Sequence, residues 1–267
     1  MSSITSNAGM TTASVGTSSG LSQAVVMTAR CLRLSSRKLD ALITAIILPI
    51  ILMLLFVYLF GGAIQTGGDY VTYVVPGVLL LCAGFGASTT AVSVSEDMYG
   101  GIIDRFRSLD IGGLPVLTGQ VVASVARNIL STVLVFGIAF LIGFRPEADA
   151  LGWFAASGIL LLFVLAMSWL SAGIGLIAKS AEAANGFTFF VMFLPYASSA
   201  FVPINTMPSW LQGFARHQPV TPVTEAIRGL LLGTPVGDNA WIALLWCTGI
   251  TLAALVLCAA LYRRRTT

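Results

Sequence analysis

Residues 41–62 read ALITAIILPIILMLLFVYLFGG, twenty-two positions without one charged side chain. As a single helix that is long enough to cross a hydrocarbon layer of ~30 Å. Five more runs of the same kind follow, at 71–94, 121–144, 151–177, 184–204 and 240–261. They are too long, and too free of period-two alternation, to be strands of a β-barrel. Pro49 and Pro195 fall inside two of the runs; lipid-embedded helices tolerate proline where neighbours satisfy the freed carbonyls. The whole chain agrees: of 267 residues 57% are hydrophobic and 9% charged, and the mean hydropathy is +0.91. A soluble domain of this length needs far more charge to solvate its surface. The expected fold is therefore an all-α membrane protein of six transmembrane helices.

The four cysteines (Cys31, Cys82, Cys247, Cys258) are scattered, none forms a CxxC pair, and His217 is the only histidine. Neither a metal site nor a disulfide framework can be built from that set, and the cysteines read as packing residues. Lysine and arginine set the orientation. With the N-terminus inside, eleven of the fourteen basic residues lie on the cytoplasmic side and only Arg145, Arg216 and Arg228 lie outside. Both termini are then cytoplasmic.

Residues 1–20 are dominated by Ser, Thr and Gly and carry no charge, so they are expected to form a disordered cytoplasmic tail and not a signal peptide. In residues 21–39, Leu21, Val25, Ala29, Leu32 and Leu39 fall near one helical face, while Arg30, Arg33 and Arg37 recur on another. That pattern predicts an N-terminal helix lying in the inner membrane interface. On the outside, the 35 residues 205–239 form the longest loop and read as two short amphipathic helices. PSWLQGFARH offers Trp210, Leu211 and Phe214 to the membrane surface. PVTEAIRGLLLG has Thr221 as N-cap, Pro222 at N1 and Gly233 as C′. A cap over a cavity and a lid resting on lipid fit these pieces equally well.

The spans are as informative for what they lack. All eleven acids fall outside them, and Arg127, seven residues into the third, is the only charge within. An ion-coupled carrier needs an intramembrane ionisable group, so a proton antiporter is disfavoured, although backbone carbonyls could still bind sodium. The nearest approach to a P-loop, GIGLIAKS (173–180), has Ala178 where glycine is required and no strand before it. No nucleophile–base or paired-carboxylate arrangement shares one interface. The chain is expected to be no enzyme, to hold no cofactor or metal of its own, and to draw any transport energy from another polypeptide.

One stretch breaks the apolar pattern. SEDMYGGIIDRFRSLDIGG (95–113) holds six charges in nineteen residues, on the cytoplasmic side between the second and third spans. Met98, Ile102, Phe106 and Leu109 can share one face, with Asp104 and Arg107 at i, i+3 on another, and Gly100–Gly101 favour a bend. An amphipathic cytoplasmic helix, on a permease without an engine, is what docking to a soluble ATPase requires. A helix that only rests on the membrane surface is the competing reading.

At this point three stretches carry a resemblance. LPIILMLLFVYLFGGAI (48–64), SEDMYGGIIDRFRSL (95–109) and FARHQPVTPVTEAIRGLLLG (214–233) resemble the type-2 ABC exporter permeases, most of all the daunorubicin/doxorubicin-resistance permeases of actinobacteria. With the six-span layout the resemblance covers about 21–265, read as one permease domain. It implies that two permeases pair around a twelve-helix pathway, each seated on an ABC ATPase subunit that carries ATP and magnesium. It implies that Glu96, Asp97, Gly100, Asp104, Arg105, Phe106 and Arg107 form the coupling helix against that ATPase, and that Arg30, Arg33 and Arg37 mark the interfacial connecting helix. Where the family carries a proline soon after Arg-Ser-Leu, this chain has Asp110 after Leu109 and its next proline at Pro115.

The expected function is the permease subunit of an ATP-driven exporter in a bacterial cell membrane, effluxing hydrophobic or amphipathic drugs. A homodimer in contact with lipid is expected, with no nucleic-acid partner. Aromatic residues such as Phe85, Phe136, Trp169 and Phe190 suit apolar ligands and lipid-facing packing equally, so no substrate-binding residue is assigned. Export of a lipid or lipid-linked glycan by a related permease is the nearest alternative, and an ATPase-independent carrier a more distant one.

Overall fold

The computed structural model describes residues 20–37, 39–64, 69–100 and 113–266. All regular structure among them is helical: α1 (Gly20–Arg37), α2 (Leu39–Leu55), α3 (Tyr70–Tyr99), α4 (Gly113–Ile142), α5 (Ala150–Ile177), α6 (Ala181–Met192), α7 (Ser209–His217), α8 (Val220–Leu232) and α9 (Asn239–Thr266). A π turn, Phe56–Phe60, prolongs α2, and 3-10 turns lie at Leu194–Ala197 and Ile204–Thr206. Tyr70–Tyr99, Pro115–Ile142, Ala150–Ile177 and Asn239–Leu261 are long and apolar enough to cross a membrane, and Ile47–Phe60, in α2 and its π turn, is a shorter apolar stretch.

Helices α3 and α5 pack on each other and form the centre, buried along most of their length, while α4 and α9 pack outside them with most of their surface bare. That bare surface is apolar: Leu141 of α4 is 86% exposed, with Leu245 and Val256 of α9 also open, and the start of α5 adds Leu151 and Phe154. In water such a surface would aggregate. Here its solvent is lipid, and the chain is an integral membrane protein.

Two expectations need correction. The run 184–204 is not one helix. α6 ends at Met192, and the chain continues through the turn at Leu194–Ala197 into non-helical backbone. Pro195 has no N–H to return to residue 191, and its ring crowds that carbonyl. The second correction concerns α8, which begins at Val220 with Pro219 as its N-cap, so that Pro222 is its third residue and not its first. Thr221 is not the cap: its hydroxyl donates to Ala215 O at 2.5 Å, tying α8 to the end of α7. Gly233 ends α8 as expected, at φ +64°, a left-handed conformation that costs glycine nothing.

α1 is helical over its expected length and packs along α4. The side turned to the protein carries Met27 and Cys31, both buried, whereas Val25, Ala29 and Leu32 of the expected apolar face are exposed. Contact is close at Gly119, where a Cβ would lie 2.9 Å from the Met27 backbone.

The non-helical segment crosses α3 equally closely. A Cβ at Gly77 would sit 2.7 Å from both the Cβ and the carbonyl oxygen of Ala200. Gly77→Ala should therefore destabilise the protein by about 1–3 kcal/mol, lowering the thermal midpoint in detergent. Gly137→Ala, at a position with nothing within 4 Å, should not lower it. Equal midpoints for the two variants would contradict this packing.

Candidate functional site

At the end of the bundle that bears the charged segment 95–113, α3 gathers its neighbours through side chains of its last two turns. Asp97 is buried; Gln120 Nε2 of α4 donates to its Oδ2 at 2.7 Å, and Arg30 Nη2 of α1 lies 3.5 Å from its Oδ1. Tyr99 Oη donates to Ala178 O at 3.0 Å, fixing the corner between α5 and α6. Three elements thus converge on one turn of α3. At that corner the Ser180 hydroxyl caps α6 by accepting from Ala183 N. Glu182 is exposed, and hydrogen bonds from its own backbone N–H and from Ser180 hold its carboxyl below the usual carboxylate range.

The residues assigned from sequence separate here. Glu96 is exposed beside Asp97, and Gly100 terminates α3 with its N–H on Glu96 O. Asp97 faces inward and is engaged by α1 and α4. Asp104, Arg105, Phe106 and Arg107 lie outside the described residues. On α1, Arg30 reaches Asp97, Arg33 is exposed, and Arg37 is the last residue of the helix. Cys31 lies one residue from Arg30; burial chiefly, then the Asp97 charge, pushes its thiol up to about 11.

Deeper in the bundle a polar row links three helices. The hydroxyls of Thr89, Thr90 and Ser124 converge on Gly86 O at 2.8, 3.5 and 3.4 Å. Ser168 of α5 donates to Ser124 Oγ at 2.9 Å, and Asn128 Nδ2 donates to Ser124 O at 3.0 Å. Arg127 Nη2 donates to Thr90 Oγ1 at 3.1 Å. Such bonds hold helices together where burial of apolar surface gives no preference over lipid. Among the described residues no group of three or more His, Cys, Asp or Glu could hold a metal.

Beside this row a groove of about 350 Å3 runs between α4 and α5, lined by Asn128, Ile129, Thr132, Val133, Phe136, Trp153, Ser157, Leu160, Leu161 and Val164. Phe136 and Trp153 form its aromatic end, 5.3 Å between ring centroids.

The opposite end is held by a residue that sequence reading counted among the outer loop charges. Arg228 is 8% exposed. Its Nε and Nη2 donate to Tyr73 O at 3.2 and 3.0 Å, Nη2 donates to Ser199 O at 2.9 Å, and Nη1 meets Glu225 Oε1 at 2.7 Å. The guanidinium stacks 3.7 Å above the Tyr73 ring. Around it, Tyr73 Oη donates to Ser199 O, Tyr70 Oη to Phe201 O, and Gln218 Nε2 to Leu194 O and Ala197 O. The carbonyls freed where α6 stops are thereby satisfied. Only Glu225 at i−3 hinted at this in the sequence; the other partners lie far away along the chain.

Two substitutions test these anchors. Asp97→Ala should loosen α1 and lower the Cys31 thiol, since the carboxylate raises it. Maleimide labelling of Cys31 near neutral pH, followed by peptide mapping, should then run faster, because more of the thiol is present as thiolate. An unchanged rate would mean that Asp97 does not hold α1. Arg228→Lys keeps the charge but loses the planar fork; each stranded carbonyl should cost about 1–3 kcal/mol, read as a lower thermal midpoint. A variant as stable as the parent would remove Arg228 from its role.

The chain has known relatives. Residues 22–232 match the family described as ABC-2 type transporter. The daunorubicin resistance ABC transporter permease protein DrrB1 of Streptomyces coeruleorubidus is 30% identical over 226 residues, covering 84% of this chain and 80% of its own length. The probable doxorubicin resistance ABC transporter permease protein DrrC of Mycobacterium tuberculosis is 27% identical over 252 residues, covering 92% of this chain and 90% of its own length. The match runs from the first turn of α1 to the last residue of α8, taking in the anchors at both ends of the bundle, and the chain belongs to the ABC-2 type transporter family.

Proposed function

We propose that this chain is the permease subunit of an ATP-driven exporter that removes hydrophobic or amphipathic drugs across a bacterial cell membrane. Family membership carries the reading: it implies a partner ATPase subunit, and relatives alignable over most of the chain are named for daunorubicin and doxorubicin resistance. In this reading the chain crosses the membrane six times with both termini in the cytoplasm. α2, α3, α4, α5 and α9 make five crossings, and α6 with the non-helical segment after it makes the other. Two permeases pair, each over one ATPase.

The mechanism follows from where the charges lie. ATP binding draws the two ATPases together, and the segment 95–113 rides on one of them. Asp97 is continuous with that segment through the last turn of α3, so a push there is felt by Arg30 of α1 and Gln120 of α4 together. Tyr99 carries it to the α5–α6 corner through Ala178. Helices joined at one turn move as one body, which converts a cytoplasmic displacement into a change of access along the spans.

The test uses the permease co-expressed with its ATPase in a drug-sensitive bacterium. Daunorubicin accumulation should fall relative to cells lacking the pair. Reversing both charges, Arg105→Glu with Arg107→Glu, should restore accumulation and weaken ATPase association at least tenfold, because interfacial charge pairs are worth about 1.5–7 kcal/mol. Membrane insertion should be unaffected. Wild-type accumulation equal to that of cells without the pair would overturn the drug-exporter reading. Unchanged association in the charge-reversed permease would remove those arginines from the docking surface.

A further inference from the structure

We infer that the groove between α4 and α5 is a binding site for a flat, amphipathic small molecule that enters sideways from the lipid. The inference rests on the exporter reading and gives it a substrate site. Its volume of about 350 Å3 falls within the range of small-molecule pockets, ~300–1,000 Å3. One end is an aromatic wall, with Phe136 and Trp153 at 5.3 Å and 56° to each other. A planar ring can stack on such a wall with little loss of its own freedom.

The polar groups say more than the apolar ones. In other helices some hydroxyls return to the carbonyl four residues earlier, as Thr188 does to Ala184 O at 2.7 Å, Thr224 to Val220 O at 2.8 Å and Thr251 to Cys247 O at 2.7 Å, while others, such as Ser95, do not. Thr132 and Ser157, on opposite walls of the groove, make no such bond, nor any other among the described residues. Hydrocarbon chains offer none of these atoms a partner. A ligand with hydroxyl or amine groups on one edge of a ring system does: its donors can reach the hydroxyl oxygens of Thr132 and Ser157 while the ring lies against Trp153. The open side of the groove is flanked by Ile129, Val133 and Leu161, all half exposed, so the route in is through lipid and not through the bundle.

Daunorubicin, a coloured planar ring system, serves as probe against the full-length permease in lipid nanodiscs. Quenching of tryptophan fluorescence should have a saturable part that disappears in Trp153→Phe, above the linear background of drug dissolved in the bilayer. Thr132→Val, which keeps the shape and removes the hydroxyl, should raise the Kd roughly two- to tenfold. Ser157→Phe, at an exposed position, should fill the groove and abolish the saturable part. Wild-type affinity in both variants would overturn the site, as would the absence of any Trp153-dependent quenching in the wild type. If the groove fails while wild-type cells still exclude daunorubicin, the exporter reading stands with its site elsewhere. If exclusion fails too, both readings fall.

Discussion

A buried carbonyl has no water to turn to, and the stretch from Leu194 to Phe201 frees several at once. Everything at that end of the molecule is arranged around finding them donors. Gln218 serves Leu194 and Ala197, Tyr70 serves Phe201, and Ser199 is shared by Tyr73 and Arg228. Arg228 is the piece without which the set does not close. Its rigid fork reaches α3 at Tyr73 O and the irregular segment at Ser199 O together, and Glu225 offsets its charge at 2.7 Å. A helix interrupted in a protein interior is permitted only on such terms.

The same accounting explains how the two ends differ. At the Arg228 end, side-chain donors from α3, α8 and the α7–α8 junction reach backbone carbonyls far away along the chain. At the Asp97 end one carboxylate is shared by Arg30 and Gln120, and one phenol donates to Ala178 O. The first set ties a non-helical segment to the bundle, and the second ties helices to one another.

How much of this was legible in the sequence depended on distance along the chain. The long apolar runs at 71–94, 121–144, 151–177 and 240–261 correspond to α3, α4, α5 and α9, because length and composition are local properties that lipid rewards directly. The Gly233 stop and the extent of α1 were local too. What failed was tertiary. Pro195 was visible, but it did not say whether the helix would resume, since that depends on donors from residues 70–73 and 218–228. Arg228 looked like one more loop cation because its carbonyl partners at Tyr73 and Ser199 are remote in sequence. Thr221 looked like a cap until Ala215 took its hydroxyl. Within the charged segment, Asp97 could not be told from its neighbour Glu96, although one is buried against α1 and the other is exposed.

Everything proposed for the charged end requires that this chain be a permease driven by a separate engine. The most direct measurement is the mass of the intact assembly, purified through a tag on this chain from its own host in mild detergent and read by native mass spectrometry. The account predicts two copies of this chain with two copies of one soluble ATPase. Particles of this chain alone, obtained again after crosslinking in the cell, would contradict it and leave the charged segment at 95–113 as nothing more than a helix on the membrane surface.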